Sequence, residues 1–375
     1  MKNRNLEILY LISLAIFITS GLFWSLQNIF NIFEYIGYVL LFIKLVADIK
    51  YKKRNEIIKS AILTILCLIT YLYSKDITLI KFLMLILAFK NVKFQKCVKT
   101  DMICRIISTG IIILLNYYNI IPDVNAIRGE MIRYSLGFSH PNGFASNLMM
   151  IYIDLIYIEY VKNNKMTKEK FIINTMISII LIGTMYYISN TRLTIIMIII
   201  INLLYNIICI NPQILDKRFI KKIVCNIFFI NSIFTLLATI LYNNQTNIGI
   251  YINKASSSRI YYILTYYKKF GISILGNNFI GFATRSMTLD NAFAHVLLRY
   301  GILMFSFILL SFNKIFKYLY EEKKYLMISI LLVFCISGLF ENGWLRIEKN
   351  IYMLTFYLLI ENKNSIKKIG EKNIE

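Results

Sequence analysis

The sequence predicts an all-α polytopic membrane protein of about 12 transmembrane helices, and three observations predict it. Of its 375 residues 58% are hydrophobic, with a mean hydropathy of +0.61, whereas soluble domains are about 45–50% apolar. The apolar residues come in runs of roughly 17–22, the length that carries a helix across about 30 Å of hydrocarbon. Lysine clusters separate the runs, and each cluster falls on the same side as the N-terminus.

The runs lie near 7–26, 29–48, 57–73, 77–90, 101–118, 142–160, 171–188, 193–209, 223–242, 291–312, 325–341 and 350–361. The first follows Lys2 and Arg4, is longer than a secretory h-region and has no small-residue cleavage site after it, so it reads as a retained span. The runs near 77–90 and 350–361 are short for spans. The basic clusters are Lys50–Arg54, Lys90–Lys99, Lys162–Lys170, Lys217–Lys222, Lys314–Lys324 and Lys363–Lys372. The positive-inside rule makes their side cytoplasmic and puts both termini there. The net charge of +22 is thus a topology signal and needs no nucleic acid. Six cysteines fall in spans or inner segments, so they imply neither a disulfide framework nor a metal site.

Lysine dominates inside, while arginine concentrates outside at Arg128, Arg133, Arg192, Arg259, Arg285 and Arg346. Topology does not ask for outer arginines. The guanidinium fork suits bidentate binding of phosphate or carboxylate, so the asymmetry points to an anionic substrate at the outer leaflet. Interfacial pairing with lipid headgroups is the plainer alternative. Two outer segments are long, 119–141 and 243–290, in what is otherwise a single membrane domain over 1–375. Loops of that length carry structure or function. In the second, SSSRIYYILTYYKKFG predicts a helix capped by Ser256 or Ser257 and closed by Gly271. Ile260, Ile263, Leu264 and Tyr267 would form a face resting on the membrane, with Arg259 and Tyr262 at its start.

Both histidines sit at outer lips. GFSHPNGFA opens the run near 142–160, with Pro141 in the first helical turn and His140 just before it. In LDNAFAHVLLRYGI, a helix starting after Asp290 places Asn291, His295 and Arg299 on one descending stripe. Asp290 as a helix cap and His295 as an interfacial hydrogen bonder remain open. Arg192 in SNTRLTI stands at the outer end of an apolar helix. Lys44 and Arg105 lie near cytoplasmic ends, where long side chains snorkel. Glu34, Lys81 and Asp154 lie deeper and call for partners. Nucleotide-binding and metal-ligating motifs are absent.

RYSLGFSHPNG, SNTRLTI, SSSRIYYILTYYKKFGISILGNNF and LDNAFAHVLLRYGI, with the span pattern, resemble the bacterial polysaccharide repeat-unit polymerases. That family makes O-antigen, capsular polysaccharide or exopolysaccharide and is related to O-antigen ligases. The resemblance implies a GT-C-like membrane glycosyltransferase that joins lipid-linked repeat units at the outer face of the cytoplasmic membrane. Donor and acceptor would both be glycans on polyprenyl pyrophosphate, with no cofactor or metal. A flippase and a chain-length regulator of the same pathway are the implied partners. It further implies pyrophosphate binding by Arg192 and Arg259, with Arg133 or Arg128 beside them. The family's His-Asn pair corresponds here to Asp290-Asn291, which leaves the base open between Asp290 and His295, with Arg299 orienting it. The family's R-x10-G spacing is unmatched, since Arg133 to Gly143 is one residue short and Arg259 to Gly271 one too long. His140, Asn291 and Tyr262 would contact substrate. A lipid-linked oligosaccharide flippase or a glycan ligase are the alternatives.

Overall fold

The computed structural model describes residues 2–128, 130–163, 168–282 and 287–361. Arg285, Lys165 and the basic cluster beyond residue 362 lie outside the described residues. The chain folds into helices α1 (Lys2–Leu22), α2 (Gln27–Ile49), α3 (Arg54–Ser74), α4 (Thr78–Leu87) and α5 (Phe94–Tyr117). A hairpin of strands β1 (Ala126–Arg128) and β2 (Met131–Arg133) comes next. Then come α6 (Pro141–Asn163), α7 (Lys168–Thr184), α8 (Arg192–Ile210), α9 (Arg218–Cys225) and α10 (Ile227–Asn243). Helices α11 (Asn247–Ala255), α12 (Arg259–Phe270), α13 (Ala292–Glu321) and α14 (Tyr325–Ser337) follow, and the 3-10 segment Ile351–Leu359 ends the described chain.

Each predicted apolar run falls on one of these helical pieces. Among the described residues, seven helices are long and apolar enough to cross a membrane, or eight if α9 and α10, bent by 62°, form one span. The protein is therefore an all-α multi-pass membrane protein with one small hairpin that the sequence reading did not anticipate.

Length and burial divide the helices into two groups. The stretches Trp24–Ile49 and Lys170–Ser189 are only 17% buried, with isoleucines such as Ile32, Ile36, Ile179 and Ile180 among their exposed side chains. The shorter pieces fill the centre. Almost every residue of α14 is buried, as are Ile351–Tyr357 and most of α4. At about 1.5 Å per residue, α4 with 10 residues cannot cross hydrocarbon alone, so it depends on the ring around it.

α13 is interrupted. Gly301 has φ 82°, a left-handed value, and the break frees backbone groups that hydrocarbon cannot satisfy. The loop after α12 satisfies them: Ser273 and Ile274 carbonyls accept from Ile302 and Leu303 N–H, and Asn277 N–H donates to the Arg299 carbonyl. A Cβ at Gly276 would lie 2.5 Å from the Arg299 carbonyl oxygen, and one at Gly301 2.5 Å from the Gly276 nitrogen. Both glycines are thus fixed by close approach. The first part, Ala292–Tyr300, is a separate short helix most of whose residues are buried.

The charges within the apolar runs have partners, and Lys44 and Arg105 are buried, which corrects the snorkelling expected of those two. Lys44 is 1% exposed and bonds Asp48 one turn on, at 2.5 Å. Arg105, 2% exposed, bonds Asp101 at 3.0 Å, Asn147 at 3.1 Å and the Glu348 carbonyl at 2.7 Å. Glu34 meets Lys81 at 3.1 Å, and the Tyr352 hydroxyl donates to Asp154 at 3.0 Å.

Candidate functional site

The segment after α14, residues 338–350, is where the chain leading into α12 and α13 converges. The Gly338 carbonyl accepts from Ala292 N–H at 2.7 Å, and the Phe340 carbonyl accepts from Arg259 Nε at 2.9 Å. Asn342 Nδ2 donates to the Leu289 carbonyl at 2.7 Å. The starts of α12 and α13 are thereby pinned to one loop, far apart though they are in sequence.

These contacts revise local expectations. The cap of α13 is Asn291, not Asp290: its side-chain oxygen accepts from Ala294 N–H, and its Nδ2 donates to Thr235 and the Leu339 carbonyl. Its carboxamide is fully committed to structure, whereas the sequence reading had it contacting substrate. α12 is preceded by Ser258 at φ 65°, with no side-chain cap from Ser256 or Ser257. Its apolar face does not rest on the membrane. Ile260, Ile263 and Tyr266 are buried against α10 and α13, while Tyr267 is exposed. Gly271 does close the helix, at φ 66°. Tyr262 is half-buried beside Tyr261.

Four arginines gather at this end. The hairpin brings Arg133, whose Nε donates to the Ser189 carbonyl at 2.7 Å and whose Nη2 donates to Asn142 at 2.5 Å. Arg128 donates to the Asn190 carbonyl at 3.4 Å. Arg192, exposed, begins α8. Arg259 begins α12, bound to carbonyls of Ser256 and Phe340. None of the four has a carboxylate within ion-pair distance among the described residues. Their crowding is felt electrostatically: burial and then the Arg192 and Arg259 charges lower the Arg128 pKa. Burial and Arg128 bring Arg133 down to about 10. His140 is lowered by burial and then by Arg133, Arg128 and Arg259, which favours the neutral ring. An anion would relieve this repulsion.

Two carboxyls lie within reach of the Arg259 charge. Burial raises Asp290, partly offset by Arg259, a hydrogen bond with Thr288, and Lys349. Glu341 is raised by burial and by Asp290. Lys349 is accessible to solvent, yet burial and Arg346 lower its pKa. A small cleft of about 70 Å³ lies here, lined by Glu341, Gly343, Lys349 and Asn350 together with Met149, Met150 and Met197.

A third group includes His295 and Arg299. Arg299 pairs with Asp76, on the α3–α4 connection, at 3.2 Å. The Tyr300 hydroxyl donates to the same carboxylate at 2.9 Å, and His295 meets the Tyr300 ring edge-on at 5.2 Å. Burial pushes Asp76 up, but Arg299 and hydrogen bonds with Thr78 outweigh it, leaving the carboxyl ionised at neutral pH. Of the expected stripe, Asn291 is taken up as the helix cap. His295 and Arg299 stay together with Asp76, while Asp290 faces Arg259 and Lys349.

Sequence reasoning missed Asp76, Glu341 and Lys349 as site residues and noted Arg346 only as an outer arginine. The available signal was FENGWLRIEKN, dense in charge between two apolar runs. Among the described residues no group of three or more His, Cys, Asp or Glu is placed to hold a metal ion. No family model, characterised protein or solved structure matches the chain.

Proposed function

We propose that the protein is a glycosyltransferase that polymerises lipid-linked oligosaccharide repeat units at the outer face of the cytoplasmic membrane. The observation that carries this reading is the set of four arginines without carboxylate ion pairs among the described residues, Arg128, Arg133, Arg192 and Arg259, of which Arg259 lies near enough to Asp290 and Glu341 to bias both. The reaction has a good leaving group, a pyrophosphate on a polyprenyl carrier, provided its charge is stabilised. Preorganised guanidinium groups supply that stabilisation. The acceptor hydroxyl oxygen attacks the anomeric carbon of the donor glycan, the bond to the pyrophosphate breaks, and the hydroxyl proton passes to a carboxylate. Asp290 suits that role, because its raised pKa makes it a better base than an ordinary aspartate. His295 and Arg299, tied to Asp76, serve as positioning groups. In this reading twelve membrane-embedded segments place the termini in the cytoplasm and the arginines outside. Partners are the donor and acceptor lipids, a flippase that delivers them and a chain-length regulator.

The test is extension of a synthetic polyprenyl-pyrophosphate repeat unit by the purified protein. In cells, Arg192→Ala or Arg259→Ala should leave single lipid-linked repeats and abolish long chains. Normal chain lengths in both variants would sink the assignment.

One observation favours a flippase instead: α13 is broken at Gly301, and broken helices are common in transporters. Deletion separates the two, since a lost flippase strands repeat units on the cytoplasmic face and a lost polymerase on the outer one. A glycan ligase would extend no repeat unit and would need a different acceptor.

A further inference from the structure

The β1–β2 hairpin has two chemically opposed faces. Its antiparallel register pairs Ile127 with Ile132, Ala126 with Arg133 and Arg128 with Met131. Directly opposed residues share a face of the sheet and neighbours along a strand alternate. Arg128 and Arg133 therefore lie on one face, which is turned to the protein through Ser189, Asn190 and Asn142. Ile127 and Ile132 lie on the other, 79% and 53% exposed.

We infer that this isoleucine face is bedded in the acyl–headgroup boundary of the leaflet on the arginine side of the membrane. Three observations name lipid as the occupant. An isolated two-stranded hairpin is marginal in water, and this one exposes its largest aliphatic side chains. Aromatic pairs flank it at the ends of two helices: Tyr117 and Tyr118 close α5, and Tyr186 and Tyr187 close the α7 segment, between 53% and 82% exposed. Tyrosines so placed mark the membrane–water interface. The hairpin is also tied to that level directly, since Tyr134 N–H donates to the Ile188 carbonyl at 2.9 Å. Its apolar face thus continues the lipid-facing sides of α5 and α7. The consequence is positional: Arg128 and Arg133 are held at the level of lipid phosphates. An anion on a lipid anchor can then reach them without leaving the leaflet. This placement rests on the membrane fold and not on the glycosyltransferase reading.

The test labels single added cysteines with an environment-sensitive fluorophore in the full chain, reconstituted in phosphatidylcholine–phosphatidylglycerol vesicles. Ile127→Cys and Ile132→Cys replace exposed side chains and remove no core contact, and Asp123→Cys, exposed on the same loop, is the control. The six native cysteines are buried or half-buried, and label taken up by the unmutated chain sets the background. Labels at Ile127 and Ile132 should emit at shorter wavelength, lose intensity to shallow nitroxide-bearing lipids and resist iodide. The label at Asp123 should do the reverse. Iodide quenching at Ile127 and Ile132 equal to that at Asp123 overturns the placement. Shielding from iodide without quenching by nitroxide lipid also overturns it, because another protein or a second copy then covers the face.

Discussion

Arg105 and Arg259 are the same residue type set in opposite electrostatic surroundings. Arg105 is enclosed, with an aspartate one turn away and a carboxamide and carbonyl completing its donors. Arg259 bonds only carbonyls, and three more arginines lie beyond it with no ion pair among the described residues. A buried charge without a partner is expensive, so a chain that compensates Arg105 so fully has no structural reason to leave four cations crowded elsewhere. The difference separates an arginine that holds helices together from arginines that wait for an anion.

The comparison breaks most sharply under alanine. Arg259→Ala or Arg192→Ala should lower chain extension by about 10²–10³-fold, the cost of losing one preorganised donor to transition-state charge. Thermal stability should stay near that of the parent for Arg192→Ala and fall by about 1 kcal/mol per lost hydrogen bond for Arg259→Ala, which gives up its bonds to Ser256 and Phe340. Arg105→Ala should do the opposite. It strands Asp101 in the core and costs about 3–5 kcal/mol of stability, read as a lower melting temperature in detergent. A stable Arg105→Ala protein with lost activity would erase the distinction.

A double substitution sharpens it. Asp101→Leu with Arg105→Met removes both charges at once, so the pair should be less destabilising than Arg105→Ala alone. No such rescue exists for Arg259, which has no carboxylate at ion-pair distance among the described residues.

A smaller effect lies in the pH profile of extension. Asp290 acts as a base only when ionised, so activity falls as pH drops through its pKa. Burial raises that pKa, which puts the acid limb above the position an ordinary aspartate would give. Arg259 holds it down in part, so Arg259→Gln should move the limb upward in whatever activity remains. An unmoved limb would take Asp290 out of the base role, and Glu341→Gln would then be the next variant to profile.

Much of this was legible in the sequence because it is local. Apolar runs give helices, and the lysine–arginine asymmetry marks the end where the charges gather. What was hidden depends on long-range contact. Nothing in TLDNAF tells that Asn291 caps α13 while reaching Thr235 and the Leu339 carbonyl. Hydropathy reads 350–361 as a weak span, because it cannot see that the segment is a buried 3-10 turn held inside other helices. Glu341 and Lys349 were passed over because their meaning comes from Arg259 and Asp290, far away in sequence. The hairpin was missed because two three-residue strands are too short for an alternating pattern to show.

The smallest effect concerns His140, whose rarity and position made it an obvious candidate for acid–base work. Its Nδ1 accepts the Asn142 backbone N–H at 3.1 Å, just where α6 begins at Pro141. That is the work of a helix N-cap, and it requires an unprotonated Nδ1. The lowered pKa agrees, since burial and the nearby arginines both oppose a charged ring. Because the folded protein binds this proton more weakly than the unfolded chain, the cap contributes fully above the unfolded histidine pKa. Its contribution is lost as pH falls through that value towards the lower folded one. His140→Asn, which caps as well without titrating, should keep near-parental extension and remove this part of the acid sensitivity. His140→Ala should cost about 1 kcal/mol of stability at most, with extension changed only a few-fold. If His140→Asn instead abolished extension while the melting temperature held, the histidine would belong to the chemistry and not to the cap.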